Sequence, residues 1–284
     1  MTAPFQAMRG LANIPWFSTL RNLDPFTSGN SFATVTASAT PHTKGAWTQI
    51  VASTSAETAI IALTVTDIQA VATETSTLID VATGAAGSEV AIAENIAVGG
   101  AAVPGTGVAR IFLGCVLPLP IRVSAGTRLS VRIQGVVASQ QCRVVHALLT
   151  LPGRQTLPTS VDVLGTSTAN SRGTALSGAS GSWTEITAST ARRYRALYAV
   201  PSVIGTDILS VAVALETGVG AAGSEVVLGR QLVQFLSSEG VGNFANVGMN
   251  LPFACDVAAG SRLAVRHDIA ANPGRYGVCL IGVP

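Results

Sequence analysis

The sequence predicts an all-β protein: two tandem antiparallel β-sandwich domains of jelly-roll type, preceded by an extended N-terminal arm. Three observations lead to this fold class. Long blocks of sequence occur twice; Val, Ile, Thr and Leu recur in short runs separated by Gly, Pro, Ser and Asn; and helix-forming patterns are scarce. β-Branched runs between turn formers are typical of strands. Strands without helical crossovers favour an antiparallel sandwich.

The internal repeat divides the chain of 284 residues into two similar copies. Residues 45–54 and 84–90 recur at 181–190 and 220–226, a shift of 136 residues, and residues 117–132 recur at 251–266, a shift of 134. Three blocks in preserved order indicate a duplicated domain rather than a solenoid repeat. We expect a docking arm at 1–28, a first domain at 29–152, a linker at 153–159 and a second domain at 160–284. Both domains have an ordinary size.

Within the first copy, the expected strands are 47–52, 59–66, 77–82, 110–113, 129–136 and 143–150. Apolar and polar residues alternate over 128–133, which predicts one face in the core and one in solvent. Gly126, just before this strand, suits a tight turn. We expect Trp47 and its counterpart Trp183 to anchor the cores, with stacking on a sugar as the alternative.

Composition limits the classes of function. Charged residues make up only 11% of the chain and the formal net charge is +2, so no basic surface for nucleic acid is expected. No apolar run approaches the roughly 20 residues of a membrane-spanning helix, and residues 1–10 lack the apolar core of a secretory signal. A surface with few charges can be desolvated at low cost, which suits a subunit packed among neighbours.

The four cysteines, Cys115, Cys142, Cys255 and Cys279, are too far apart for a zinc or redox motif. We expect free, buried thiols. One disulfide in each half is the alternative, because each copy holds two cysteines, although assembly in the cytosol would keep them reduced.

Motifs for catalysis or cofactors are weak. Residues 218–223 match the dinucleotide pattern G-x-G-x-x-G after an expected strand at 208–215. The first copy lacks the leading glycine, however, and no helix start follows in either copy, so a hairpin turn is the better interpretation. The blocks 84–90 and 220–226 are the most alike of all, which favours shared turn chemistry, with a shared contact surface as the alternative.

Paired carboxylates are the other candidates for chemistry. Asp80 with Glu89 recurs as Glu216 with Glu225, and such pairs can serve as acid and base in glycoside hydrolysis. The glutamates fall in Gly-Ser-Glu turns, however, where a carboxylate accepts hydrogen bonds from backbone amides. The histidines, His42, His146 and His267, lie singly, without metal-ligand spacing. We therefore expect no catalytic, cofactor-binding or metal-binding residue.

The arm is the clearest feature for interaction. It concentrates aromatic residues on a proline-punctuated segment, and the second copy has no equivalent. Exposed aromatics of this kind are expected to dock on a surface. That surface could belong to a neighbouring subunit, to another protein of the assembly or to the first domain itself. The predicted docking residues are Phe5, Trp16, Phe17, Phe26 and Phe32.

Three segments, 43–54 (TKGAWTQIVAST), 84–89 (GAAGSE) and 119–129 (LPIRVSAGTRL), resemble a domain common in virion structural proteins of tailed bacteriophages. The second copy resembles it as well. The resemblance implies a virion location after assembly in the host cytoplasm, with other virion proteins and copies of the chain itself as partners. It implies no cofactor and no catalytic residue. A short tail fibre or appendage is the version we favour, and a capsid decoration protein is the alternative.

Two other classes remain open. A pair of carbohydrate-binding modules that attach to a host surface glycan would present aromatics at equivalent loops of both copies, yet Tyr194, Tyr198 and Tyr276 have no tyrosine counterparts in the first copy. An enzyme would lose activity when Glu89 or Glu225 is changed, whereas the structural interpretation predicts only local instability.

Overall fold

The computed structural model describes residues 21–22, 32–67, 76–98, 117–150, 157–176, 179–204, 211–238, 241–244, 252–268 and 276–284. Within these ranges the regular elements are β-strands, apart from one 3-10 turn at Thr168–Asn170. The predicted all-β class is therefore confirmed, and every strand pair is antiparallel. No helix in the described part of the chain is long and apolar enough to cross a membrane.

The strands of the first half are β1 (Arg21–Asn22), β2 (Ala33–Thr36), β3 (Thr48–Val51), β4 (Ile60–Asp67), β5 (Thr77–Thr83), β6 (Val90–Val98), β7 (Leu117–Leu119), β8 (Leu129–Gly135) and β9 (Gln141–Thr150). Those of the second half are β10 (Asp162–Leu164), β11 (Thr166–Ser167), β12 (Arg172–Ala175), β13 (Thr184–Thr187), β14 (Tyr194–Val203), β15 (Val211–Val219), β16 (Val226–Ser238), β17 (Val241–Phe244), β18 (Phe253–Val257), β19 (Leu263–His267) and β20 (Tyr276–Val283). Five of the six strands predicted in the first copy match within two residues at each end, and the sixth, at 110–113, lies outside the described residues.

The strands of the described residues form four sheets. Sheet I has the order β1-β9-β4-β7, with β2 also paired to β9, and sheet II has the order β3-β8-β5-β6. Sheet III has the order β11-β12-β20-β14-β18, with β10 also paired to β20, and sheet IV has the order β13-β19-β15-β16-β17. The order β9-β4-β7 thus returns as β20-β14-β18, and β3-β8-β5-β6 returns as β13-β19-β15-β16. Strand order repeats together with sequence, while the exact domain boundaries remain a prediction.

Each half has an apolar core between its two sheets. In the first half, Ile61 and Leu63 of sheet I pack in one cluster with Val81 and Val131 of sheet II. In the second half, the cluster joins residues of sheets III and IV, among them Leu197, Leu280, Leu215 and Val265.

Sheet III is buried on both faces. Leu197 and Leu280 point into the second core, whereas Tyr198 and Ile281 pack with the first-half cluster. Neighbouring residues of a strand point to opposite faces, so the outer face of sheet III is the surface that meets the first half. The Tyr198 hydroxyl donates a hydrogen bond to the Pro118 carbonyl at 2.6 Å.

The second half also covers sheet II. Strand β6 contacts β10, β12, β14 and β20, and the Val161 amide donates to the Ile92 carbonyl at 3.0 Å. Farther along the sheet, the Gln134 side chain donates to Ser171 Oγ at 3.0 Å and to the Thr168 carbonyl.

The polar face of β8 is covered, and this overturns the expectation that residues 128–133 have a solvent face. Ser130 and Gln134 are both buried. Strand β8 lies between β3 and β5, and its polar side is covered by an ion-pair network around Arg132 and by the turn that bonds Gln134. The apolar residues of β8 face the core and its polar residues face the covered ion-pair network, and solvent reaches little of either side.

The described part of the arm contacts its own chain. Arg21 and Asn22 pair with the end of β9, and the Arg143 guanidinium of β9 lies 4.5 Å above the ring centre of Phe32. The other predicted docking residues, Phe5, Trp16, Phe17 and Phe26, lie outside the described residues.

None of the three described cysteines, Cys142, Cys255 and Cys279, forms a disulfide. Cys142 and Cys279 are buried, as expected, and Cys255 is only partly buried. Burial raises the pKa of the Cys255 thiol to about 11. Cys115 lies outside the described residues.

Candidate functional site: the charged outer faces of sheets II and IV

The outer face of sheet II carries a closed ion-pair network. Asp80 of β5 is buried, and its Oδ2 accepts hydrogen bonds from Lys44 Nζ at 2.5 Å and Arg132 Nε at 2.7 Å. Glu94 Oε1 lies 3.8 Å from both cations. The Arg132 guanidinium also stacks 4.2 Å from the Trp47 ring centre. Two cations therefore face two carboxylates.

Sheet IV repeats this network with a different set of charges. Glu216 takes the place of Asp80, and its Oε2 accepts from Arg266 Nε at 2.6 Å. Its Oε1 accepts from Arg230 Nε at 2.7 Å and from Arg230 Nη2. Arg266 stacks 4.5 Å from the Trp183 ring centre. Here two arginines share one carboxylate, because Arg230 stands at the repeat position of Glu94.

A β-bulge in the first copy explains part of the difference between the ion-pair networks of sheets II and IV. In the first copy Ile79 pairs with Ile96 and Val81 with Ala93, so two residues, Glu94 and Asn95, oppose Asp80. Asn95 has a φ of 60°, and its amide donates to Asp80 Oδ1 at 2.7 Å. In the second copy Glu216 simply pairs with Arg230. The repeat shift is 136 residues before this bulge and 134 after it. The additional residue in the bulge of the first copy accounts for one of these two residues.

A second pair of ionic contacts braces the repeated Gly-Ala-Ala-Gly-Ser-Glu turns. Arg128 Nη1 donates to Glu89 Oε1 at 2.9 Å and to the Gly84 carbonyl at 3.1 Å. Arg262 does the same to Glu225 at 2.8 Å and to the Gly220 carbonyl at 3.1 Å. Turn and neighbouring strand are thus tied identically in both copies.

These contacts hold the glutamates in the charged state. The hydrogen bond from Arg128 lowers the pKa of Glu89, and the one from Arg230, joined by Arg266, lowers the pKa of Glu216 against the effect of burial. Burial by itself would raise the pKa of Glu225, but the hydrogen bond from Arg262 outweighs it and the pKa is lowered. General acids that act near neutral pH commonly have a raised pKa, whereas the pKa of each turn glutamate is lowered.

The turn interpretation of the glycine pattern is confirmed. Residues 218 and 219 end β15, and residues 220–225 join it to β16 in an antiparallel hairpin. Gly220 and Gly223 have φ values of 127° and 80°, and Gly218 lies so close to Trp183 that a Cβ would be 2.7 Å from its ring. The backbone conformation or a close neighbour therefore explains each of these glycines. The helix that a dinucleotide site requires does not follow them.

The other sequence candidates are dispersed. His42 Nδ1 is 3.0 Å from Ser171 Oγ, His146 is half-buried on β9, and buried His267 ends β19 and meets the Tyr276 ring edge-on. The structure brings together no group of three metal-ligating side chains among the described residues. Trp47 and Trp183 are half-buried beneath arginines rather than anchoring the cores.

A cavity of about 230 Å³ opens beside the Glu216 network. It is lined by Ser180, Gly181, Ala214, Glu216, Arg230, Arg266, His267 and Asp268. Arg230 is exposed, with 68% of its side-chain surface accessible, and Ser180, Gly181 and Asp268 are exposed as well. Asp268 Oδ1 accepts a hydrogen bond from the Ala214 amide at 2.8 Å. The sequence patterns predicted neither Arg230 nor this cavity, because Arg230 is a substitution within the repeat and not one of its shared residues.

Next to this cavity, β16 presents apolar side chains to solvent. Leu232, Val226 and Val227 are 71%, 65% and 44% exposed. Strand β17 pairs with β16 only at residues 235–238, so β15 is the described neighbour of the remainder of β16.

No protein-family model and no curated protein matches this sequence. Among solved structures, the chain is similar to PNGase F, a glycosylasparaginase from Flavobacterium meningosepticum, at 9% identity with a TM-score of 0.35, over 93% of each chain. It is also similar to an N-terminal CBM22-1–CBM22-2 tandem domain from Paenibacillus barcinonensis, at 8% identity with a TM-score of 0.25, over 93% of this chain and 90% of that chain. Likenesses this remote give no information about activity or ligand.

Proposed function

We propose that the chain is a non-enzymatic structural subunit that assembles with copies of itself through the outer face of sheet IV. Within that class, the resemblance of its repeated segments favours a virion protein of a tailed bacteriophage. A short tail fibre or appendage is the assignment we favour, and a capsid decoration protein is the alternative.

The observation that carries this proposal is a difference in exposure between two equivalent strands, β6 of the first copy and β16 of the second. Strand β6 of sheet II is covered by the second half of the chain. Its counterpart β16 leaves Leu232 and Val227 exposed. Burying a leucine or valine side chain is worth about 1.5–3 kcal/mol, so a neighbour that covers β16 as the second half covers β6 would gain substantially.

Composition supports a second copy as that neighbour. With 11% charged residues, the surfaces of two chains can meet with little loss of charge hydration. Homo-oligomers with closed symmetry are the commonest soluble assemblies. The aromatics Phe5, Trp16, Phe17 and Phe26 remain predicted docking residues of the arm, for a copy or for another virion protein.

Light scattering at several protein concentrations tests this function. The wild-type chain is expected to have the mass of an oligomer, and Leu232→Asp is expected to shift it to the monomer. Val90→Asp is the matched control, because Val90 is also 65% exposed but lies at the hairpin tip of the first copy. A wild-type monomer at every concentration, or equal effects of both substitutions, would overturn the proposal.

A further inference from the structure

We infer that residues 27–31 of a second molecule of this chain bind to the outer face of sheet IV, so that the molecules assemble head to tail. The inference rests on the assembly proposed above and names the part of the second molecule that makes the contact. It is carried by the way in which the second half of the chain covers the equivalent face of sheet II.

A row of three neighbouring side chains crosses the outer face of sheet II. The row consists of Gln134 on β8, Leu78 on β5 and Ala97 on β6. All three are buried. The repeat places Asp268, Ala214 and Leu232 in the equivalent row of sheet IV. There Asp268 and Leu232 are exposed and Ala214 is half-buried, so the row that is covered in sheet II is accessible in sheet IV.

The segment that covers the row in sheet II comes from the second half. The Gln134 side chain donates hydrogen bonds to Ser171 Oγ at 3.0 Å and to the Thr168 carbonyl, and Ser171 is completely buried. Ala97 belongs to the same buried cluster as Val161, whose amide also bonds β6. The start of the second half therefore lies along the row.

The first half contains a related segment near its own start. Residues 27–31, Thr-Ser-Gly-Asn-Ser, share four residues in the same order with 166–171, Thr-Ser-Thr-Ala-Asn-Ser, and are one residue shorter. Each segment lies in the sequence between two strands that pair with one common neighbour: β1 and β2 pair with β9, whereas β10 and β12 pair with β20. Residues 27–31 themselves lie outside the described residues, and Ser31 is the sequence counterpart of Ser171.

In the assembly, Ser31 of the second molecule meets Asp268 as Ser171 meets Gln134. A hydroxyl both donates and accepts, so it can bond a carboxylate as well as an amide group. Asp268 Oδ1 accepts from the Ala214 amide at 2.8 Å, and Oδ2 is therefore the expected acceptor for Ser31. Because the segment and sheet IV are different surfaces, the contact is heterologous and builds a ring or an open filament.

Mixing two full-length variants tests the head-to-tail contact. Ser31→Trp alters the segment and Leu232→Asp alters sheet IV. Each variant alone is expected to be a monomer in light scattering at a concentration where the wild-type chain is an oligomer. An equal mixture is expected to form a dimer, because each variant keeps the surface that the other has lost. Ser88→Trp is the matched control and should assemble as the wild type, since Ser88 is exposed at the hairpin tip of the first copy.

A second variant keeps the test decisive if Ser31→Trp unfolds at a lower temperature than the wild type. Asp268→Ala changes an exposed side chain and should weaken self-association about tenfold, because a hydrogen bond to a charged group is lost. An unchanged association constant for Asp268→Ala would contradict the inference.

The outcomes separate this inference from the proposed function. An oligomer that Leu232→Asp dissociates and a stably folded Ser31→Trp leaves intact would overturn the inference and leave the assembly through sheet IV standing. A mixture of two stably folded variants that stays monomeric would also overturn the inference. A wild-type chain that is a monomer at every concentration would overturn both.

Discussion

Leu232 on β16 and Ala97 on β6 occupy equivalent places in the two copies, yet Leu232 is 71% exposed and Ala97 is completely buried. Ala97 pairs with Leu78, and Leu232 pairs with Ala214; the repeat aligns Leu78 with Ala214. The first copy thus has leucine on β5 and alanine on β6, whereas the second copy has alanine on β15 and leucine on β16. The large side chain lies inside where the second half covers the sheet, and outside where the described chain leaves it open.

This exchange predicts opposite sensitivities to size. Ala97→Leu should lower the free energy of unfolding by about 1–3 kcal/mol, because the covered edge of sheet II has no space for a larger side chain. Leu232→Ala should change it by less than about 0.5 kcal/mol, since Leu232 has little packing to lose within one chain. Urea unfolding of dilute protein measures both, and a neutral Ala97→Leu would contradict the described packing.

Asp80 is expected to be the most sensitive carboxylate of the first copy. Asp80→Asn leaves Lys44 and Arg132 with only the more distant and exposed Glu94 as counter-charge and should cost about 2–4 kcal/mol. Asp256 is the control, because its pair with Arg193 is exposed on both sides. Asp256→Asn should leave the thermal unfolding temperature nearly unchanged. Equal effects of the two substitutions would show that the Asp80 network does not brace sheet II.

Stability should fall on the acid side. The lowered pKa values of Glu89, Glu216 and Glu225 mean that the folded chain binds fewer protons than the unfolded chain near their titration. Their contribution is complete above the unfolded pKa values of about 4 and is lost as pH falls through the lower folded values. Unfolding free energy should therefore be level from about pH 7 to 5.5 and decrease below about pH 5.

Arg262→Gln provides the control for this pH dependence. It removes the partner of Glu225, so the protein should be less stable at pH 7 and its decline toward pH 3 should be shallower. A decline as steep as that of the wild type would show that this pair does not contribute.

The repeated turns should depend on particular glycines. Gly84 has a φ of 115°, and a Cβ there would lie 2.6 Å from the Ser88 carbonyl oxygen. Gly84→Ala should therefore cost about 1–3 kcal/mol. Gly87 has a φ of 81° with no atom within 4 Å of a Cβ, and asparagine tolerates this left-handed region. Gly87→Asn should unfold at nearly the wild-type temperature, and a larger loss than for Gly84→Ala would contradict the geometry.

The two halves should unfold together. Tyr198 of sheet III packs in the first-half cluster and bonds the Pro118 carbonyl. Calorimetry should show a single transition for the full chain, and Tyr198→Phe should lower its midpoint through loss of a hydrogen bond worth about 1 kcal/mol. Two separated transitions would show that the contact between the halves is weak.

The fold class was predictable because strands and turns depend on local patterns. Runs of β-branched residues predicted most strands of the first copy, and the turn at Gly126, with its φ of 79°, was also correct. The repeated Gly-Ser-Glu turn was correctly assigned to backbone hydrogen bonding, since the Gly87 amide donates to Glu89 Oε2 at 2.9 Å.

The sites depend on contacts between distant segments and were less predictable. The alternation over β8 indicated a solvent face, because nothing in that strand reveals that the turn at Thr168–Asn170 covers Gln134. Trp47 and Trp183 were expected in the cores, but Arg132 and Arg266, more than 80 residues away along the chain, stack on them. Within the repeat, the substitution of Glu94 by Arg230 is the sequence signal that indicates the cavity.

Hydrogen exchange of β16 tests the central claim of assembly most directly. Mass spectrometry would compare the peptide over 226–233 with its counterpart over 90–98, in dilute and in concentrated wild-type protein. We predict that 90–98 exchanges slowly in both, because the second half covers it, and that 226–233 exchanges faster in the monomer than in the oligomer, at the amides that are not bonded to β15. An oligomer in which 226–233 exchanges as fast as in the monomer would contradict the account.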